Sequence, residues 1–154
     1  MDQRYWDSDA FLGWLAEEPD KVDECRPVIR AAEDGRTLIV TSALTLAEVL
    51  LMRGGPPVPA DKAATVEAFF EHEYILVHDL DRETAQRAQK LVWHHSIKPK
   101  DAIHVATAID SGVDRMETFD GDLIKRSGTV GDPPLEIGRP NEPGTLFDPR
   151  NGSE

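Results

Sequence analysis

The sequence predicts an α/β domain built around a mostly parallel sheet. Runs with strand character alternate along the chain with stretches whose apolar residues recur at helical spacing, the pattern of repeated strand–helix–strand units. One run, "RTLIVTS", places Leu38, Ile39 and Val40 in an unbroken apolar row, as a strand covered on both faces does. Four acids also fall at or near predicted strand ends, where open parallel sheets collect functional groups.

The elements follow in order. A short first strand is expected from Arg4 to Asp7, and a helix from about Ser8 or Asp9 to Glu17. "PDKVDECRPVIRAAEDG" carries Val22, Cys25, Val28, Ile29 and Ala32 on one helical face and stops at Gly35. Pro27 lies inside that pattern, so the helix is expected to begin or kink there. After the strand at "RTLIVTS", "TLAEVLLM" turns helical through Leu46, Val49 and Leu50. "RGGPPVPAD" is a loop by its glycines and prolines. "DKAATVEAFFEHE" is a helix with Val66, Phe69 and Phe70 inward, and "YILVHDL" is the third strand. "DRETAQRAQKLVWHHS" is a helix capped by Asp81. "KPKDAIHVATAIDSG" is another, opening at Pro99 and closing at Gly112. "VDRMETF" is the fourth strand and "LEI" a short fifth. The predicted domain spans 1–138, and 139–154 is expected to be a Pro- and Gly-rich tail with little structure of its own.

Composition narrows the class. At 154 residues one domain is the default, burying roughly 70% of its unfolded surface. The single cysteine, Cys25, excludes an intramolecular disulfide. No run of about 18 uncharged apolar residues predicts a membrane span, and the acidic "MDQRYWDSD" does not read as a signal peptide. These features predict a cytoplasmic protein. The net charge is −12, with 17 basic and 29 acidic residues. Such a surface repels polyanions and counts against a passive nucleic-acid-binding module. It leaves open an enzyme that meets nucleic acid through a bound cation.

The four acids are Asp7, Glu48, Asp101 and Asp120. Each has an ordinary reading. Asp7 or Asp9 can cap the next helix. Thr45 to Glu48 spells a capping box, with Glu48 on the helix's first turn. Asp101 complements a helix dipole. Asp120 and Asp122 flank Gly121 as turn residues do. Gathered on one rim, however, they must be offset. Two like charges about 4 Å apart repel by about 4 kcal/mol at an effective dielectric near 20. Protonation or a divalent cation provides the offset, and all-oxygen donors suit magnesium or manganese. No Cys/His cluster suggests zinc, since Cys25 stands alone and His94 and His95 are adjacent on a helix.

Three stretches carry a family resemblance through the four acids within them: "YWDSDAFL", "IVTSALTLAEVL" and "KPKDAIHVATAIDSGVDRMETFD", the last holding both Asp101 and Asp120. In this order the chain resembles the PIN domains, most closely the VapC-type toxin ribonucleases of toxin–antitoxin pairs. The resemblance runs from about Tyr5 to Leu123. It implies a three-layer α/β/α sandwich and Mg2+- or Mn2+-dependent RNA cleavage leaving a 5′-phosphate. It places the catalytic and metal-holding acids at Asp7, Glu48, Asp101 and Asp120. Ser8 and Thr118 become accessory groups, and Asp122 a further ligand or a more distant contact. It also implies a small antitoxin partner and a homodimer, for which the helices around 61–73 and 82–96 offer apolar positions. The sequence departs from the pattern in its thin first strand, in Asp9, in the "GGPPVP" loop and in the tail.

Secondary groups have competing readings. Lys98, Lys100, Lys125 and Arg126 flank the acidic motifs and read as phosphate contacts or as solvated surface charge. His104 reads as a general acid or, better, as a packed residue. Trp6 and Trp14 sit in apolar patterns; Trp93 is open to stacking or exposure. Two other functions remain open from the sequence. "WDSDAF" contains the Asp-x-Asp of haloacid-dehalogenase-like phosphatases, with Asp7 as nucleophile and Asp9 as acid/base. A non-catalytic, metal-binding PIN-like module is the other.

Overall fold

The computed structural model describes residues 1–51 and 56–143. Five parallel strands form one sheet: β1 (Asp2–Trp6), β2 (Thr37–Ser42), β3 (Ile75–His78), β4 (Arg115–Glu117) and β5 (Ile137–Gly138). They lie in the order β3-β2-β1-β4-β5. Between them run α1 (Ser8–Leu15), α2 (Val22–Glu33), α3 (Ala43–Glu48), α4 (Ala60–Phe69), α5 (Arg82–His95), α6 (Pro99–Ser111) and α7 (Gly121–Ile124).

Successive strand side chains point to opposite faces, and this makes three layers. Tyr5, Val40 and Met116 pack on one face with Leu91, Val105 and Leu123 from α5, α6 and α7. Trp6, Ile39 and Ile75 pack on the other with Phe11, Val28, Ile29 and Phe70. The neighbouring pairs Tyr5/Trp6 and Ile39/Val40 thus split between two cores. The α/β/α sandwich expected from the resemblance is the observed fold.

Differences from the expected elements have local causes. β1 starts at Asp2 and ends at Trp6 because Asp2 pairs in register with Thr37, while Asp7 has already turned to cap α1. Pro27 neither starts nor breaks α2. The carbonyl it leaves unpaired belongs to Asp23, an exposed residue where water can replace the lost donor. Gly35 follows the helix end at φ +77°, a conformation that favours glycine. The Thr45–Glu48 capping box does not form. Ser42 caps α3 instead, accepting from the Leu44 amide at 3.1 Å, and Thr45 turns its hydroxyl to Thr41 at 2.8 Å. Glu48 is therefore the last residue of α3, not part of its first turn. A short helix, α7, replaces the turn expected after Asp120. β5 lies two residues later than the start of "LEI", and Leu135 is buried in the core instead.

Part of the "GGPPVP" loop and residues 144–154 lie outside the described residues. Residues 139–143 are anchored. Arg139 grips Glu24 on α2 with two nitrogens, and Arg4 donates to the Asn141 carbonyl at 2.9 Å and side chain at 2.8 Å. Trp6 is wholly buried and Trp14 packs beside the same cluster, whereas Trp93 is 83% exposed.

Candidate active site

The strand order reverses direction at β1, with β2 on one side and β4 on the other. In parallel sheets such a switch point opens a crevice at the carboxyl ends of the strands. Here that crevice is an open cleft of about 440 Å³, and Asp7, Glu48, Asp101 and Asp120 all line it.

Four separate elements deliver these acids. Asp7 follows β1 and caps α1, its Oδ1 accepting from the Ala10 amide at 2.9 Å. Its Oδ2 accepts from the Thr118 hydroxyl at 2.6 Å. Glu48 closes α3 and bonds His104 Nε2 at 2.7 Å. Asp101 sits in the first turn of α6, after Pro99. Asp120 caps α7 through the Asp122 amide at 2.9 Å, and its own amide donates to Thr118 Oγ1 at 3.1 Å. Thr118 therefore links the acids at the ends of β1 and β4.

Electrostatics match this crowding. Burial is the main force raising Asp7 to about 6; its hydrogen bonds and the nearby His104 oppose the rise, and Asp9 adds to it. Asp101 is raised by burial first, then by the charges of Asp120 and Glu48, against the pull of His104 and Lys98. For Glu48, burial pushes upward but the His104 hydrogen bond and charge, with Ser8 and Lys100, outweigh it and hold the carboxyl below its usual range.

Among the described residues, no group of three or more His, Cys, Asp or Glu side chains makes a ready metal cage. The donor chemistry still fits a hard cation. The four acids offer only oxygen, Asp101 is repelled by both Asp120 and Glu48, and Mg2+ keeps several waters and needs only one or two carboxylates.

Ser8 lines the cleft and Thr118 lies buried beneath it. Asp122 does not line it; its amide serves Asp120. Lys98, Lys100, Lys125 and Arg126 are likewise absent from the lining, although Lys98 and Lys100 are near enough to act on Asp101 and Glu48. Sequence reasoning missed Lys21 and Phe119, which do line it. Their signal was Gly13. A Cβ there would lie 2.9 Å from Phe119 Cε2 and 3.0 Å from Lys21 Cβ, so the helix must be bare at that point. Asp7 is 3% exposed, and each of its oxygens accepts one hydrogen bond, from the Ala10 amide and the Thr118 hydroxyl.

Residues 4–128 match the family model for the PIN domain. The chain is a member of the PIN domain family. Solved structures share the fold of this PIN domain at low identity. VapC20 of Mycobacterium tuberculosis, a sarcin-ricin loop cleaving toxin, is 18% identical with a TM-score of 0.64, over 82% of this chain and 96% of that one. A toxin–antitoxin complex from Klebsiella pneumoniae is 16% identical with a TM-score of 0.64, over 91% and 99%. VapBC2 from Rickettsia felis, bound to a DNA fragment from its promoter, is 14% identical with a TM-score of 0.62, over 88% and 98%. No curated protein matches the chain.

Proposed function

We propose that this PIN domain is a divalent-metal-dependent endoribonuclease and the toxin of a toxin–antitoxin pair. The observation that carries the reading is the convergence of Asp7, Glu48, Asp101 and Asp120 from four elements onto one cleft. Asp7, Asp101 and Asp120, with Glu48, are the residues that would hold Mg2+ or Mn2+, directly or through water. A cation bound there would offset the crowded carboxylates, polarise a phosphodiester and lower the pKa of nearby water.

The chain's own groups do the rest. Asp7 is immobilised by Ala10 and Thr118, so its placement requires no rearrangement when substrate arrives. Glu48 carries the carboxylate suited to help hold the cation or to orient the attacking water. Lys21 stands at the lip, where a phosphate would reach its amine.

The toxin assignment draws on neighbours described as a toxin and as a toxin–antitoxin complex. A homodimer and a cytoplasmic setting complete the reading. Among the described residues, no helix is long and apolar enough to cross a membrane.

The decisive experiment incubates purified protein with pooled cellular RNA and Mn2+, maps the cut ends, and repeats the assay with Asp101→Asn. Metal-dependent cuts are expected from the wild type and none from the folded variant. Full cleavage by the variant would defeat the assignment. Mn2+ binding without any turnover would support the non-catalytic module instead.

A further inference from the structure

A buried hydrogen-bonded relay runs from the centre of the sheet to the wall of the acidic cleft. His104 lies on α6, one turn beyond Asp101, and is only 2% exposed. Its Nδ1 is 2.6 Å from the Tyr5 hydroxyl, and its Nε2 is 2.7 Å from Glu48 Oε1. Both ring nitrogens are engaged, one by β1 and one by α3. The Tyr5 ring meets the imidazole edge-on, with centroids 5.8 Å apart.

The donors can be assigned by chemistry. An ionised carboxylate only accepts, so Nε2 carries the proton shared with Glu48. Tyr5 is fully buried, and burial first, then the charge of Asp7, keeps its phenol protonated far above neutrality. The phenol therefore donates to Nδ1 when the ring is neutral. Should the ring carry two protons, Nδ1–H would donate to Tyr5 and Nε2–H still to Glu48. The bond that matters for Glu48 is the same in both forms.

Glu48 needs such a support. It ends a helix of six residues, so its own element constrains it weakly. We propose that His104 is a positioning residue for the cleft: steadied by Tyr5, it donates from Nε2 to Glu48 and holds that carboxylate where a divalent cation or a water would meet it. The inference rests on the proposed metal-dependent reading of the cleft and extends it to two residues outside the four acids. Partners of this kind, one step removed from the ligands, typically change metal affinity by about 10- to 100-fold when mutated.

The test strips the protein of metal with chelator and titrates it with Mn2+ by calorimetry. Melting temperature and the separate kcat and KM of RNA cleavage are followed beside it. His104→Leu removes the donor and is expected to weaken Mn2+ binding by about tenfold or more and to lower kcat rather than raise KM. His104→Gln places an amide donor near the former Nε2 and is expected to stay within about threefold of wild type. Tyr5→Phe, which keeps the ring and loses the hydroxyl, is expected to fall between them.

Wild-type Mn2+ affinity and kcat in His104→Leu would overturn the proposal. So would equal impairment of the Leu and Gln variants, which would make the residue a packing element only. If His104→Leu fails to fold, Tyr5→Phe decides, and unaltered affinity and kcat there overturn it. Asp101→Asn, run alongside, separates the two levels. If Asp101→Asn binds Mn2+ normally, the cleft is not the metal site and the proposed function fails with it. If Asp101→Asn loses Mn2+ while His104→Leu keeps it, only the relay fails.

Discussion

Thr118 and Asp7, 111 positions apart in sequence, share a 2.6 Å hydrogen bond that joins the end of β4 to the end of β1. The same threonine oxygen receives the Asp120 amide at 3.1 Å. Thr118→Val keeps the shape and leaves both a buried carboxylate oxygen and an amide without this partner. Each such loss costs about 1–3 kcal/mol. Urea unfolding of the valine variant is expected to shift to lower midpoint with unchanged slope, and RNA cleavage to fall with it. Thr118→Ser, which restores the hydroxyl, should recover most of both. A valine variant as stable and active as wild type would show the bond to be incidental.

Asp7 makes metal-free stability depend on pH in a direction opposite to that of most carboxylates. Its folded pKa is raised to about 6, whereas the unfolded chain titrates near 3.9. The folded protein therefore holds this proton more tightly. Its contribution is fully present below about pH 4 and is lost as pH rises through about 6, to an upper bound of about 3 kcal/mol. In chelator, wild type is expected to lose stability over that window relative to Asp7→Asn. Adding Mn2+ near pH 7.5 should recover stability in the wild type alone, since a ligand of the folded state adds about 2.7 kcal/mol at 100 times its Kd. Parallel stability curves for wild type and Asp7→Asn from pH 4 to 7 would contradict the assignment.

Glu117 anchors the centre of the molecule. It is wholly buried, accepts from the Trp6 indole at 2.8 Å and pairs with Arg4 and Arg115. It also receives the Asn141 amide at 3.3 Å, which helps secure residues 139–143. Glu117→Gln leaves the buried Arg4 without this countercharge. Removing one partner of a buried pair costs about 3–5 kcal/mol. Chemical denaturation is expected to show a loss larger than that of Thr118→Val, with proteolysis near residue 141 accelerated. A loss under about 1 kcal/mol would mean that Asp2, which also pairs with Arg4, suffices.

How much of this was legible in the sequence depended on the range of the interaction. Apolar periodicity is local, and it located every strand to within a few residues and the acids at their ends. Glu48 was recognisable as an acid near a strand end but not as the end of α3. That required knowing that Ser42, rather than Thr45, would win the cap. His104 read as a packed residue because its partners Tyr5 and Glu48 lie 99 and 56 positions away. The basic residues flanking the acidic motifs read as phosphate contacts or as solvated surface charge, and proximity along the chain did not put them in the lining. Lys21 reaches the cleft from the start of α2 only because Gly13 lets Phe119 and the lysine stem close on α1.

If the proposed ribonuclease reading holds, Lys21 is the cleft-lining cation placed to meet an RNA phosphate. Its Nζ lies 5.3 Å from the centre of the Phe119 ring and 3.4 Å from Glu18, so the amine is held at the lip rather than free to sweep. Arg139 covers the same ring at 4.8 Å but is committed to Glu24. Lys21→Met keeps much of the stem and removes the charge. With a fluorescent single-stranded RNA and the Asp101→Asn background to prevent cutting, it is expected to weaken binding by about three- to tenfold. The slope of log affinity against log salt should fall by about 1. Gly13→Ala tests the same geometry without touching the charge. Its methyl collides with the Phe119 ring edge and should displace ring and lysine together, weakening RNA binding in the same sense at a stability loss of about 1–3 kcal/mol. Unchanged affinity and unchanged salt slope in Lys21→Met would remove the lysine from the RNA path and leave the four acids to act without it.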